Sequence, residues 1–412
     1  MNPDETRTEH PLSRHPEWTS VLDEAPLPDP AEFAIRGRSA WGDLTPAIAE
    51  QLFCYRKAEK KLAGFHQRGW LYRRLSLEQC SGTAAAAYKA GLFSGRLCVD
   101  LTGGLGIDSL AFADRFEQVH HVESVPEISA LARHNHRISG RGHITHYTQT
   151  AEDYLHAFRG QADLIYADPS RRDEQGRVFR LADCLPDIPA LLPVLREKAR
   201  NVLIKLSPLY DLVQLLRELP DTEFVQVVSL RGEVKEILAG WGTEQKPEPA
   251  KAAAVSAVLL DDDGKVRHQF RKAMPGTVIP EVSGDALRAG DLLLLPDPAV
   301  GKAGATETVA QQLGLKRLSP ATDLLSADAG FVPEAFPGRA FRLLELLPFH
   351  NKKLKKELAA RKLQRVHVYR RGFPLEVSAL RSRLNLSMGD EGHLIFFTDR
   401  DHQKWCASCR LL

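Results

Sequence analysis

Leu97-Cys98-Val99-Asp100-Leu101-Thr102-Gly103-Gly104-Leu105-Gly106-Ile107-Asp108 reads as a buried strand that closes on an acid, then a glycine turn, then the start of a helix. Such a turn lets a ligand approach the free backbone N–H groups of a helix N-terminus. Two further pieces lie downstream. Glu123 closes the next apolar strand, Val119 to Val122, 23 positions after Asp100. Asp168-Pro169-Ser170-Arg171-Arg172 closes a later one, Asp163 to Ala167. An acid at each of three successive strand ends points to a nucleotide-type cofactor with a reaction centre beside it.

A nicotinamide-binding turn, G-x-G-x-x-G, is also followed by an acid about 20 residues on. Here the glycines at 103, 104 and 106 fall within four positions, and an acid precedes them. That acid is unhelpful to a pyrophosphate and suits the ammonium of a methionine moiety. The string resembles motif I of class I S-adenosylmethionine (SAM)-dependent methyltransferases, commonly D-x-G-x-G-x-G, with Thr102 in place of the first glycine. The resemblance implies a cofactor site of Asp100, Thr102, Gly103, Gly104 and Gly106, with Asp100 orienting the methionine amine through the turn. Glu123 would accept from both ribose hydroxyls, which a carboxylate does well. Around Thr150-Ala151-Glu152-Asp153 the chain would pass the adenine edge, Asp153 accepting from the exocyclic amine and the Ala151 amide donating to a ring nitrogen. An acidic first helical turn favoured by the helix dipole accounts for the same residues equally well.

Asp168-Pro169-Ser170-Arg171-Arg172 occupies the motif IV position, where the chain faces both the methyl group and its acceptor. Base-amine methyltransferases often carry Asn- or Asp-Pro-Pro-aromatic there; this chain has two arginines and no aromatic. Arg171 and Arg172 suit a phosphate, for which the guanidinium fork is shaped, or else they pair at the surface with Asp173 and Glu174. Covalent pyrimidine chemistry is disfavoured. The next strand ends Lys205-Leu206-Ser207-Pro208 with serine before the proline, and Cys184 has no neighbouring base to lower its pKa. The order of Lys89, Asp168, Lys205 and Glu236 resembles the catalytic Lys-Asp-Lys-Glu set of ribose 2′-O-methyltransferases, in which a lysine among acids takes a hydroxyl proton. Glu233 competes with Glu236 for the last place. The plainer reading makes Lys205 a structural partner of Asp168 and Lys89 a solvated helix residue.

The length of 412 residues fits roughly two to three domains, and 43% hydrophobic with 26% charged residues fits a globular chain with a real core. The net charge of +2 is unevenly spread. Six scattered cysteines read as reduced thiols. Cys406-x-x-Cys409 has no second Cys pair to complete a zinc set, so no metal site is expected. The first 30 residues show no apolar signal segment, and no run is long enough for a membrane helix. A cytoplasmic protein without membrane attachment is expected.

Residues 1–44, rich in proline and charge, read as a loosely packed arm and 45–95 as a helical segment. Over 96–265 strands and helices alternate, the pattern of an α/β doubly wound parallel sheet whose ligands bind at the carboxyl ends of the strands. Helices are expected over Asp108 to Phe116, Ile128 to Ser139 and Ile188 to Arg200. Residues 266–338 read as a small β-α-β module with one helix from Ala299 to Leu313, and 339–412 as a last unit with a basic helix from Asn351 to Lys362. Between Phe341 and Asn385 there are twelve Lys or Arg against three Glu. This basic face, with Lys352, Lys353, Lys356, Arg370 and Arg371 at its centre and Tyr369, Phe373 and His350 interleaved, fits a phosphate backbone. A solubilising helix face is the alternative.

Leu77-Glu78-Gln79-Cys80-Ser81, Tyr88-Lys89-Ala90, the motif I and motif IV strings, Lys205-Leu206-Ser207-Pro208 and Lys302-Ala303-Gly304 occur in this order. Together they resemble a bacterial family of class I SAM-dependent methyltransferases with a C-terminal THUMP-like domain, from about residue 70 to the end. The resemblance implies a Rossmann-like methyltransferase domain over 96–265, a ferredoxin-like module over 266–338 and a THUMP-like domain over 339–412. It also implies SAM as cofactor and, because THUMP domains are associated with RNA and chiefly tRNA, an RNA partner. Arg231-Gly232-Glu233-Val234-Lys235-Glu236 departs from the Asn-Glu-Cys-Lys-Glu type string of relatives, which leaves Glu233 and Glu236 both open.

Overall fold

A computed structural model describes residues 9–171, 180–220, 222–242 and 253–412. The chain opens with helices α1 (Pro30–Arg36), α2 (Arg38–Trp41), α3 (Thr45–Lys61), α4 (Arg74–Gln79) and α5 (Thr83–Gly91). Alternation follows: β1 (Gly95–Asp100), α6 (Ile107–Phe112), β2 (Phe116–Val122), α7 (Pro126–Ile138), β3 (Ile144–Tyr147), α8 (Ala151–Ala157) and β4 (Ala162–Ala167). A two-residue pair, β5 (Ser170–Arg171) and β6 (Cys184–Leu185), precedes α9 (Ile188–Lys198), β7 (Ala199–Leu206), α10 (Leu212–Glu218), β8 (Phe224–Leu230), β9 (Glu233–Trp241), β10 (Ala254–Leu260) and β11 (Val266–Arg271). The order of the nine-stranded sheet is β11-β10-β8-β9-β7-β4-β1-β2-β3. Strands β1, β2, β3, β4 and β7 run parallel, and β9 pairs antiparallel with β7.

By contact density the chain divides into two units: Met1–Val225 with Lys235–Ala253 and Leu260–Val266, and Gln226–Val234 with Ala254–Leu259 and Arg267–Leu412. In the first, Cys98, Val99, Val119, Leu164, Ile165 and Val202 to Ile204 are wholly buried. Such near-continuous apolar runs are what strands covered on both faces require. Leu71 and Tyr72, extended between α3 and α4, are held like a short strand by two buried amides. Gln51 of α3 exchanges two hydrogen bonds of 2.9 Å with the Tyr72 backbone, and Asn135 of α7 does the same with Leu71. Within the stretch read as a loosely packed arm, Leu12, Trp18 and Val21 are buried. The helix expected from Asp108 to Phe116 stops at Phe112, and Phe116 already opens β2.

The second unit contains β12 (Leu292–Pro296), α11 (Pro298–Lys302), α12 (Thr306–Leu313), β13 (Lys316–Arg317), β14 (Leu325–Ala327), β15 (Gly338–Pro348), α13 (Asn351–Ala360), β16 (His367–Arg371), α14 (Val377–Leu384), β17 (His393–Thr398) and β18 (Lys404–Leu411). The single helix expected over Ala299 to Leu313 is two helices. The two stretches read as separate modules share one seven-stranded sheet, β13-β14-β12-β15-β18-β17-β16. One core holds Leu354, Leu358, Leu380 and Leu384 of α13 and α14 with Leu394, Phe396 and Cys406 of the sheet. The other holds Leu293, Leu318 and Leu324 with Phe341, Ile395, Phe397 and Cys409. Cys406 and Cys409 thus belong to different cores, an arrangement that suits packing and not shared ligation.

Candidate active site

Strand register brings the acids together. Cys98 of β1 pairs with Val119 and Leu164, and Asp100 with His121 and Tyr166, so the strands finish at one level. The turn after β1 is pinned by Leu101 N–H to Tyr166 O at 2.9 Å and Gly103 N–H to Val122 O at 2.8 Å. Gly104 and Gly106 have φ of +52° and +83°, the left-handed region that glycine enters without penalty. Gly103 is required for another reason: a Cβ there would lie 2.2 Å from the His121 ring. Thr102, the departure from the motif, has work to do, because its Oγ1 accepts from the Asp168 N–H at 2.6 Å and ties the turn to the strand-four acid.

Both Glu123 oxygens accept backbone N–H groups, from Gly104 and Val125 at 2.8 Å each, so the acid expected to reach the ribose also shapes the turn. Ala151 opens α8 and is buried. Thr150 caps that helix by accepting from the Asp153 N–H, and it donates to Asp153 Oδ2 at 2.8 Å. The Asp153 carboxylate therefore has a partner within its own first helical turn.

The register of Ala167 with Ile204 sets Asp168 and Lys205 side by side at the ends of β4 and β7. They form an ion pair in which the Asp168 side chain keeps 35% exposure and Lys205 12%. Burial pulls the Lys205 pKa down, but Asp168, Asp108 and Glu236 outweigh it and raise it above the ordinary lysine range. Lys89 on α5 is wholly buried, not solvated, and contacts both Glu236 oxygens at 2.9 and 2.8 Å, Ser81 Oγ at 3.0 Å and Asp108 at 3.3 Å. Asp108 also accepts from Ser81 Oγ and Tyr166 OH at 2.9 and 2.8 Å. Burial pushes Asp108 up, yet Lys89 and Lys205 outweigh it and hold it below the usual carboxylate range. Glu236 is raised by its burial, in part offset by the same two lysines. Glu236, 2% exposed and paired to Lys89, sits in this network, whereas Glu233, the first residue of β9, is exposed.

Asp108, Ser81 and Tyr166 were not singled out in the sequence. Only the position of Asp108 in the first turn of α6 hinted at one of them. Of the residues expected to meet substrate, Arg172 lies outside the described residues, and Arg171 is described only as part of β5. On α13, Lys352, Lys353 and Lys356 are exposed. Arg370 pairs with Glu376 at 2.8 Å and Arg371 with Asp323 at 2.9 Å, so these two are engaged within the protein. Among the described residues no group of three or more His, Cys, Asp or Glu is placed to hold a metal, and no helix is long and apolar enough to cross a membrane.

The turn suits SAM. Nothing lies within 3.8 Å of the position a Gly104 Cβ would take, which leaves the outer side of the turn open to a ligand. Beneath it Asp100 carries no cationic partner among the described residues. A doubly wound sheet with this turn and acids at the ends of β1, β2 and β4 defines a class I SAM-dependent methyltransferase. Residues 338–411 match the family described as THUMP domain-like. The crystal structure of a candidate methyltransferase from Porphyromonas gingivalis W83 superposes with a TM-score of 0.80, at 30% identity, over 96% of this chain and 97% of that one. S-adenosylmethionine-dependent methyltransferases of two Mycobacterium tuberculosis strains, their roles uncharacterised, are 29% identical over 361 residues, 85% of this chain and 91% of theirs. The chain belongs to the bacterial class I SAM-dependent methyltransferases with a C-terminal THUMP-like domain, and SAM is its cofactor.

Proposed function

We propose that the protein methylates RNA, a tRNA or rRNA, with the acceptor nucleotide against Asp168 and Lys205. The observation that carries this reading is the Asp168–Lys205 pair, tied by Thr102 to the glycine turn. SAM supplies a methyl group on a sulfonium, which leaves readily to an in-line nucleophile. The residues then have two tasks, to align the acceptor and to handle its proton. Lys205, held in its charged form, fixes the carboxylate and cannot itself take a proton. Asp168, the more exposed partner, receives the hydrogen bond of the acceptor N–H or O–H and directs its lone pair at the methyl carbon. Most of the rate enhancement comes from that positioning. The Lys89–Glu236–Asp108 cluster acts from behind, because a wholly buried Lys89 does not reach an acceptor. In this reading Asp168 and Lys205 work at the face of the site, and Lys89 and Glu236 support them from beneath. The exposed lysines Lys352, Lys353 and Lys356 on α13 provide the phosphate-binding face.

The test is transfer of labelled methyl from SAM to bulk RNA from a strain lacking this protein, digested to nucleosides. Wild-type protein should label a single nucleoside. Asp168→Asn should reduce transfer at least a hundredfold while SAM binding stays within about twofold, since a lost acid–base and positioning group costs about that much. Label appearing only in protein or small molecules would replace the RNA reading with one of those acceptors.

A further inference from the structure

One row of side chains crosses four neighbouring strands beneath the glycine turn. Tyr166 pairs with Asp100, Asp100 with His121, and His121 with His146. Asp100 is 1% exposed and His121 wholly buried. Ser109 of α6 sits between them, its hydroxyl 2.6 Å from Asp100 Oδ2 and 3.0 Å from His121 Nδ1. The other Asp100 oxygen accepts from the Thr102 N–H at 3.1 Å. The titratable groups that face Asp100 are Asp108 on α6, Asp168 after β4, Tyr166 on β4 and Cys98 on its own strand. Those facing His121 are His136 and Arg133 of α7 and His146 of β3. His121 Nε2 is buried and has no hydrogen-bond partner among the described residues.

A buried carboxylate whose neighbours are neutral donors and like charges is costly to ionise. Burial pushes Asp100 up, the Ser109 hydroxyl pulls it back, and Asp108 and Asp168 add to the rise, leaving it at about 7. Burial, with His136, His146 and Arg133, holds His121 well below its ordinary value and therefore neutral. A neutral imidazole has one donor and one acceptor nitrogen, so it can complete a hydrogen-bond chain of either polarity.

We infer that Ser109 and His121 are positioning residues for Asp100 and that, through them, binding of SAM releases one proton. In the protonated chain Asp100 donates to Ser109 Oγ, Ser109 donates to His121 Nδ1, and His121 keeps its proton on Nε2. In the ionised chain Ser109 donates to Asp100 Oδ2, the His121 Nδ1–H donates to Ser109 Oγ, and Nε2 bears a lone pair. Passing from the first to the second moves two protons along one hydrogen bond each and sends the Nε2 proton to solvent, with no heavy-atom bond changed. The ionised chain also replaces an unpartnered buried N–H by an unpartnered lone pair, the more tolerable of the two. The sulfonium and ammonium charges of SAM favour the ionised chain. The inference rests on the turn as the SAM site and is independent of the methyl acceptor.

The experiment is calorimetric titration of the full chain with SAM at pH 6, 7 and 8, each in two buffers of different ionisation enthalpy. Proton release should be about 0.9 per SAM at pH 6, about 0.5 at pH 7 and about 0.1 at pH 8, with binding about tenfold tighter at pH 8 than at pH 6. Ser109→Ala removes a hydrogen bond to the ionised form and should move this limb to higher pH, and His121→Phe should move it the same way if the serine variant folds poorly. Asp100→Asn should abolish the limb and report what the SAM amine itself contributes. Binding without proton release at pH 6 and 7, or Ser109→Ala and His121→Phe profiles that superpose on the wild type, overturns the inference. No SAM binding at any pH overturns the assignment of the turn itself.

Discussion

The Lys89 ammonium is wholly buried with Glu236 and Asp108 as its counter-charges. Ion pairs taken out of water are balanced between desolvation and attraction, and removing one partner leaves the other charge stranded. Lys89→Ala should therefore destabilise the protein by about 3–5 kcal/mol in urea unfolding, whereas Lys89→Met combined with Glu236→Leu should recover most of that loss. Neither variant should transfer methyl groups efficiently, because Lys205 and Asp108 lose their electrostatic balance in both. At this scale the sequence was legible wherever chemistry is written in a string. Asp100, Glu123, Asp168 and Lys205 each announced themselves by closing or nearly closing an apolar run. Lys89 did not reveal its burial, because an alanine-rich helix with one lysine reads the same on a surface as in a core. Ser109 and His121 were invisible as a pair, since they meet Asp100 from two different elements.

Each glycine of the turn answers to a different constraint, and substitution should separate them. Gly103→Ala drives a methyl into the buried His121 ring, 2.2 Å away, and Gly106→Ala meets the His136 ring at 2.3 Å while straining a φ of +83°. Gly104→Ala meets only its unfavourable φ, a cost of about 1–2 kcal/mol. SAM affinity and melting temperature should fall steeply for the first two variants and modestly for the third. The element sequence of the Rossmann-like half was legible to within a few residues because parallel strands buried on both faces are long apolar runs. Boundaries failed where no glycine or proline marks them, as at Phe112, where α6 ends and three residues intervene before β2 begins. The seven-stranded sheet was not legible, because the antiparallel pairing of β12 with β15 joins residues more than 40 positions apart, from Pro296 with Gly338 to Leu292 with Arg342, and leaves no local signature.

For the molecule as a whole the histidine cluster governs acid stability. Burial depresses His136 to about 4 and His146 to about 3, with the neighbouring His136 adding to the effect at His146, and burial also holds His121 well below its ordinary value. As the pH falls below the ordinary value near 6.5, the unfolded chain takes up protons at these sites and the folded chain does not. Stability is then fully present above about pH 6.5 and declines toward pH 4. Asp100 acts in the opposite sense. Its folded pKa of about 7 exceeds the ordinary carboxylate value, so its contribution is present at acid pH and lost as the pH rises through 7. Glu236, also raised by burial, acts in the same sense as Asp100, and the three histidines, which titrate in the unfolded chain across this range, outweigh the two carboxyls to give a net loss on acidification. The urea midpoint should be lower at pH 5 than at pH 6.5, and His136→Gln, which keeps a donor for Gly106 O, should flatten that slope.

The shared sheet of the second unit bears on how such a chain could have been assembled by recombination. The recognisable THUMP-like stretch starts at residue 338, but its first strand, β15, lies in mid-sheet between β12 and β18. Cutting at the sequence boundary would leave Gly338–Arg342, the part of β15 that pairs with β12, as an open edge and Phe341 and Leu343 stripped of Leu293, Leu318 and Leu324. An open apolar edge invites pairing with another chain. The module that can be inherited or transplanted intact is accordingly larger than the one its sequence family outlines, and it must carry residues 292–327 as its own flank.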